Sequence, residues 1–213
     1  MGKSRKGPDR AKYQLSIDGT ALGGVKDTYS SSYGYDRIYV GTRSFGSGSA
    51  NFRFALTGTT SGSYVLGIDS VQLVPVSTVQ YELENYTPWS ASGDLFDYVT
   101  TSSASGGAYV KADTNAPSDD LQFMLPVKQT GTYTVKVGVR KLDTRGIFQF
   151  SLDGVNVGSQ QDGYASSLTY EELTLGQVTI DEAGYKRFKF YVNGKHASSG
   201  GYDMAFDYIK LVP

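Results

Sequence analysis

The chain has 213 residues, with 20 basic and 21 acidic side chains. That near-neutral balance supplies no polyanion-seeking field, so neither a nucleic acid nor an anionic membrane surface is an expected partner. A single His and the lack of any Cys exclude a disulfide framework, a thiolate nucleophile and Cys-ligated zinc, and leave little for a His-based catalytic site.

Taken in chain order, the first ten residues, Met1–Arg10, are basic but lack the apolar segment of a signal peptide, and they read as a solvated loop. Strand patterns with period two follow: Tyr13/Leu15/Ile17, Phe52/Phe54/Leu56 and Tyr64/Leu66/Ile68 each put bulky apolar groups on one face. A short linker, 76–78, precedes further strands near Tyr81–Glu84, Phe96–Thr100, Ala108–Ala112, Leu121–Pro126 and Thr132–Arg140. Turn-forming clusters such as Ser103-Ala-Ser-Gly-Gly107 and Asn115-Ala-Pro-Ser-Asp-Asp120 separate them. The final strands repeat the earlier ones. Tyr13–Gly19 returns as Phe148–Gly154, Phe52–Gly58 as Phe188–Gly194, and Gly67–Pro75 as Ala205–Pro213. A period this long marks a repeated domain rather than a solenoid.

No amphipathic helix is evident, so the expected fold class is all-β: a jelly-roll β-sandwich of roughly eight to ten strands, in tandem copies, the first N-terminally truncated. Residues 79–213 read as a complete module and residues 1–75 as the back half of another, lacking the counterpart of its first sixty or so residues. Half a sandwich exposes an apolar face and strand edges. The expected partner is an upstream polypeptide supplying the missing strands; self-association of two leading halves is the alternative.

The complete module opens with Tyr81-Glu-Leu-Glu-Asn85, continues through Ala104–Val110, Gly131–Val137 and Phe150-Ser-Leu-Asp-Gly154, and closes with Ser199–Pro213. This ordered set resembles the family 6 and family 35 carbohydrate-binding modules, which have a galactose-binding-like jelly-roll fold. The resemblance implies a structural Ca²⁺ held by Glu82, Glu84 and Asp207, a ligand set suited to a hard cation. Glu82 and Glu84, two apart, would share a strand face. The bland alternative is three surface carboxylates. In the leading copy Asp69 matches Asp207, and the Glu pair would belong to the missing strands.

The resemblance also implies sugar stacking on aromatic rings in loops at one end of the sandwich. The candidates are Trp89, Tyr109, Tyr164, Tyr170 and Tyr202, with Lys195 and His196 in the closing loop favouring an acidic polysaccharide. Each ring has a structural alternative, packing over a sheet edge or into the core. Where the family often carries a sugar-bonding Asn, this chain has Gly194-Lys-His-Ala-Ser198, which puts that contact in doubt. Asp94, Asp97, Asp119 and Asp120 lie in turn-like sequence and read as loop caps rather than a catalytic pair. The resulting expectation is non-catalytic polysaccharide binding that targets an attached glycoside hydrolase or polysaccharide lyase, from a secreted bacterial protein. A structural or adhesive tandem spacer without a sugar site is the alternative.

Overall fold

A computed structural model describes residues 1–43, 45 and 48–213. They form two units, Met1–Val76 and Ser77–Pro213. No α-helix occurs among the described residues, and no helix is long and apolar enough to cross a membrane.

The first unit contains β1 (Gly2–Lys6), β2 (Ala11–Ile17), β3 (Thr20–Asp27), β4 (Gly34–Ile38), β5 (Phe52–Thr59) and β6 (Ile68–Val71). They build two antiparallel three-stranded sheets, β4-β1-β6 and β3-β2-β5. The basic start is therefore not a loop. Gly2–Lys6 pairs with both β4 and β6, and its long Lys and Arg side chains lie along the sheet, where Lys3 stands 4.8 Å over the Tyr35 ring and Arg5 5.0 Å over Tyr33. Inside, Tyr13, Leu15 and Val40 are buried, and Phe52, Phe54, Leu66 and Ile68 pack on them while remaining partly exposed.

The second unit contains β7 (Val79–Glu82), β8 (Phe96–Thr100), β9 (Ala108–Ala112), β10 (Asp120–Val127), β11 (Gly131–Lys141), β12 (Gly146–Leu152), β13 (Val155–Asn156), β14 (Gln161–Asp162), β15 (Thr169–Ile180), β16 (Gly184–Lys195) and β17 (Met204–Val212). One antiparallel sheet runs β15-β11-β17-β9-β8, with β7 sharing the β17 edge with β9; the other runs β10-β16-β12-β13, with β14 also on β12. Alternating residues of the two sheets meet in a core of Phe148, Phe150, Phe188, Phe190 and Phe206, where Phe190 and Phe206 stack at 4.0 Å. Each such ring stabilises the fold by roughly 2–3 kcal/mol through burial alone.

The same local devices recur at matching places in the two units. Asp18-Gly19 and Asp153-Gly154 both turn with positive φ, at 50° and 80° and at 49° and 88°, the backbone that a tight Asp-Gly hairpin requires. Each Asp then accepts a backbone N–H, from Asn51 at 2.9 Å and from Arg187 at 2.7 Å. Gln14 donates to the carbonyls of Leu15, Leu22 and Gly23, and Gln149 to those of Phe150, Val157 and Gly158. Parallel bridges join Gly7 to Tyr29 and Leu142 to Tyr164, and likewise Arg10 to Val65 and Arg145 to Asp203.

Candidate functional site

Two sites emerge in the second unit. The first is acidic. Strand β7 ends at Glu82, and a 3-10 turn, Leu83–Asn85, buries Leu83 beneath it and turns Glu84 back towards its neighbour. Glu84 thus sits in the turn rather than on a continued strand, yet the two carboxylates still converge. Antiparallel pairing of β7 with β17 brings in Asp207, so that one oxygen from each of the three residues lies within 4.8 Å of the others.

Partial hydrogen bonding holds the group together. The Ser105 backbone N–H donates to Asp207 Oδ2 at 2.9 Å, while its hydroxyl and the Gln80 amide both donate to Glu82 Oε1. Three buried oxygens are left without a partner: Glu82 Oε2, Glu84 Oε2 and Asp207 Oδ1. No lysine or arginine among the described residues forms an ion pair with any of the three. Burial first, and then the like charges of Glu82 and Glu84, push the Asp207 carboxyl up to about 6; Glu84 is raised for the same reasons. Gly106, at φ 69°, has its Cα against Glu84, and a Cβ there would stand 2.0 Å from Oε1. Converging carboxylates with orphaned buried oxygens and no counter-charge fit a hard divalent cation, which takes several oxygen ligands. Ser105 and Gly106 were read from the sequence only as turn residues; the Gly-Gly pair just before a strand was the available signal.

Asp69, which the sequence repeat pairs with Asp207, has its carboxylate on Lys3 Nζ at 2.9 Å. The residue matching Lys3 is Gly138, where a Cβ would stand 2.6 Å from the Tyr208 ring.

The second site lies at one end of the sandwich. Loops 142–146, 161–165 and 196–203 are sewn together by backbone bonds: Leu142 N–H to Gly163, Gly163 N–H to Gly146, Gly146 N–H to Asp203 and Gly200 N–H to Asp143. Beneath them Arg145, 3% exposed, donates to Asp203 Oδ2 at 3.0 Å, and buried Ser199 donates to the Arg145 carbonyl at 2.9 Å. The Thr114 hydroxyl ties the loop after β9 to the Tyr202 carbonyl at 2.6 Å. On this floor Tyr164, half-buried and fixed by an Asp162 cap at 2.8 Å, stacks on His196 at 4.3 Å with the planes 5° apart. His196 Nδ1 accepts the Ser198 N–H, which leaves Nε2 to donate. Exposed Lys195 stands 4.9 Å over the half-buried Tyr202 ring.

The other three aromatic candidates sit apart from this group. Tyr109 is 3% exposed, with Arg140 5.1 Å over its ring, so it offers no stacking face. Tyr170 faces Arg140 on the β11–β15 pair and lines a shallow depression with Glu172 and Tyr208. Trp89 is 43% exposed, but its backbone pairs with Gln122 beside β10, away from the loop cluster. Asp94 and Asp119 accept hydrogen bonds within their own loops; Asp120, buried, accepts the Ala91 N–H and pairs with Lys189 at 2.6 Å. The first-unit positions that the sequence repeat pairs with the loop-end group carry other residues. Val65 replaces Asp203, and Thr59 and Thr60 replace Lys195 and His196.

No family model and no curated protein matches the chain. Among solved structures, part of a Paenibacillus xanthan lyase is 34% identical with a TM-score of 0.60, over 75% of this chain and 14% of that one. A family 35 carbohydrate-binding module from Clostridium thermocellum is 21% identical (TM-score 0.43) over 63% of this chain and 98% of its own. A family 36 module solved in complex with calcium and xylotriose is 18% identical (TM-score 0.44), over 62% and 98%. Solved structures similar to the chain thus include carbohydrate-binding modules, part of a xanthan lyase and an insecticidal crystal protein. The chain spans only 14% of the length of the lyase.

Proposed function

We propose that the second unit is a non-catalytic polysaccharide-binding module whose ligand lies across Tyr164, His196, Lys195 and Tyr202. The observation that carries this reading is the Tyr164–His196 stack beside the Lys195–Tyr202 pair, on loops immobilised by buried Arg145 and Ser199. Flat rings give a rigid apolar face for sugar C–H groups; Lys195 supplies a positively charged donor and the His196 Nε2–H a neutral one. That charge favours a polysaccharide carrying carboxylates. A spacer without a sugar site has no need of cationic and aromatic side chains gathered at one loop end.

Calcium is the proposed ion for Glu82, Glu84 and Asp207, where it would neutralise three carboxylates and tie the opening turn to β17. The 34% identity to part of a xanthan lyase supports a catalytic domain of polysaccharide-lyase type as the companion, in a secreted protein, with the module raising the local substrate concentration. The matching turns, glutamine bonds and bridges of the two units support reading the first as a second copy of the back half, 136–213. Affinity electrophoresis against neutral and acidic polysaccharides, with the Tyr164→Ala variant alongside, tests the binding site. Retarded migration that the substitution abolishes is the expected result.

A further inference from the structure

Every strand of the first unit has a counterpart in the second, but the outer neighbours do not recur. Strand β5 ends its sheet where the matching β16 is continued by β10. Strand β6 ends its sheet where the matching β17 is continued by β7 and β9. Among the described residues no strand pairs with the outer edge of either. Apolar side chains follow the same division. Leu56, Val71 and Leu73 are 44%, 37% and 60% exposed, whereas their counterparts Val192, Ile209 and Leu211 are 1%, 0% and 0% exposed. Phe52 and Phe54 are only partly covered, while the matching Phe188 and Phe190 are fully buried, with β10 alongside.

Charge points to the same occupant. Residues 1–76 carry nine basic and five acidic side chains, a balance of four positive charges. Residues 77–135, which cover the corresponding edges in the second unit, carry two basic and seven acidic ones, a balance of five negative charges. A segment of that chemistry would be drawn to the first unit as well as shaped for it.

We propose that the free edges of β5 and β6 and the uncovered face between them form a docking surface for a strand-bearing, acidic polypeptide segment patterned like residues 79–127. One strand of alternating apolar residues, as in Leu121, Phe123 and Leu125, adds antiparallel to β5. Two shorter ones add to β6 and cover Val71 and Leu73. Main-chain hydrogen bonds supply the pairing, and the alternating side chains fix the register. The proposal rests on reading the first unit as a copy of the back half of the second.

The test joins residues 77–135 of this chain directly ahead of Met1 and compares the fusion with the full chain alone. A control fusion carries Leu121, Phe123 and Leu125 of the added segment changed to Asp. In the chain alone, amide hydrogens of Phe52–Thr59 and Ile68–Val71 should exchange rapidly and a hydrophobic dye should bind. In the fusion those amides should slow at least a hundredfold and dye fluorescence should fall several-fold; the control fusion should behave as the chain alone. Amides already slow in the chain alone, with no dye bound, would mean the surface is closed and would overturn the proposal. Protection that grows with the concentration of the chain alone would make a second copy the occupant instead. Open edges that the fusion leaves unprotected would refute the stated strand pattern, and with it the copy reading, while leaving the sugar site of the second unit untouched.

Discussion

Replacing Asp207 with Asn should have opposite effects with and without metal. In the metal-free protein Asp207 is nearly fully buried beside two other carboxylates, and its pKa stands at about 6 against an ordinary 3.8. Folding therefore makes the ionised form costly. At roughly 1.4 kcal/mol per tenfold change in proton affinity, the cost at neutral pH is about 3 kcal/mol. Because the folded value is the higher one, the fold binds this proton more tightly than the unfolded chain. Stability from this group is fully present below pH 3.8 and is lost as pH rises through about 6. Glu172, held at about 2 mainly by Lys210 and Lys136, acts in the opposite direction, but only below its ordinary 4.5. Asn keeps an oxygen to accept the Ser105 N–H and carries no charge. With chelator at pH 7.5, Asp207→Asn should thus raise the melting temperature of the second unit, by up to roughly 9 °C for a domain of this size. The gain should vanish near pH 4. With calcium at about a hundred times its dissociation constant, the wild type should recover about 2.7 kcal/mol and the variant nothing. Scanning calorimetry at both pH values, with calcium or chelator, reads all four states. A variant less stable than wild type in chelator at pH 7.5, or one that gains equally from calcium, would refute the reasoning.

Gly106→Ala places a methyl group 2.0 Å from Glu84 Oε1 on a backbone at φ 69°. Calcium affinity by titration calorimetry should fall at least tenfold, and the metal-free second unit should lose about 1–2 kcal/mol. The same titration on the wild type should give one ion per chain, since Lys3 already neutralises Asp69 in the first unit; two equivalent sites would contradict that assignment. Gln149→Ala leaves the buried carbonyls of Phe150 and Val157, and the part-buried one of Gly158, short of a donor, and denaturant unfolding should register a loss of about 1–3 kcal/mol.

Much of the fold was legible because its core strands alternate cleanly. Tyr13/Leu15/Ile17 and Phe148/Phe150/Leu152 are buried as their period requires, and Asp-Gly ends both strands. Strand β15 was not read, for a physical reason. A bulge inserts Leu175 between the partners of Val135 and Lys136, which breaks the period of two, and most of the strand is polar. Strand β1 was hidden by its basic residues, which stay partly in solvent while Lys3 and Arg5 reach over the Tyr35 and Tyr33 rings. The acidic trio was accessible through the resemblance, but its cradle of Ser105 and Gly106 depends on a loop more than twenty residues from Glu82. The loop-end group needed more still. Tyr164 and His196 meet only because bonds from Leu142, Gly146 and Asp143 draw three separated loops together. By contrast, the burial of Tyr109 was legible in its alternation with core residues, and Arg140 over its ring completes it.

Affinity electrophoresis of the intact chain and of Tyr164→Ala, in gels containing neutral or carboxylate-bearing polysaccharides with calcium present, tests the sugar site most directly. The account predicts retardation by at least one carboxylate-bearing polysaccharide, weakened at least tenfold by the substitution, with calorimetric stability little changed. Unretarded migration in every gel, or retardation that Tyr164→Ala leaves intact, would contradict it.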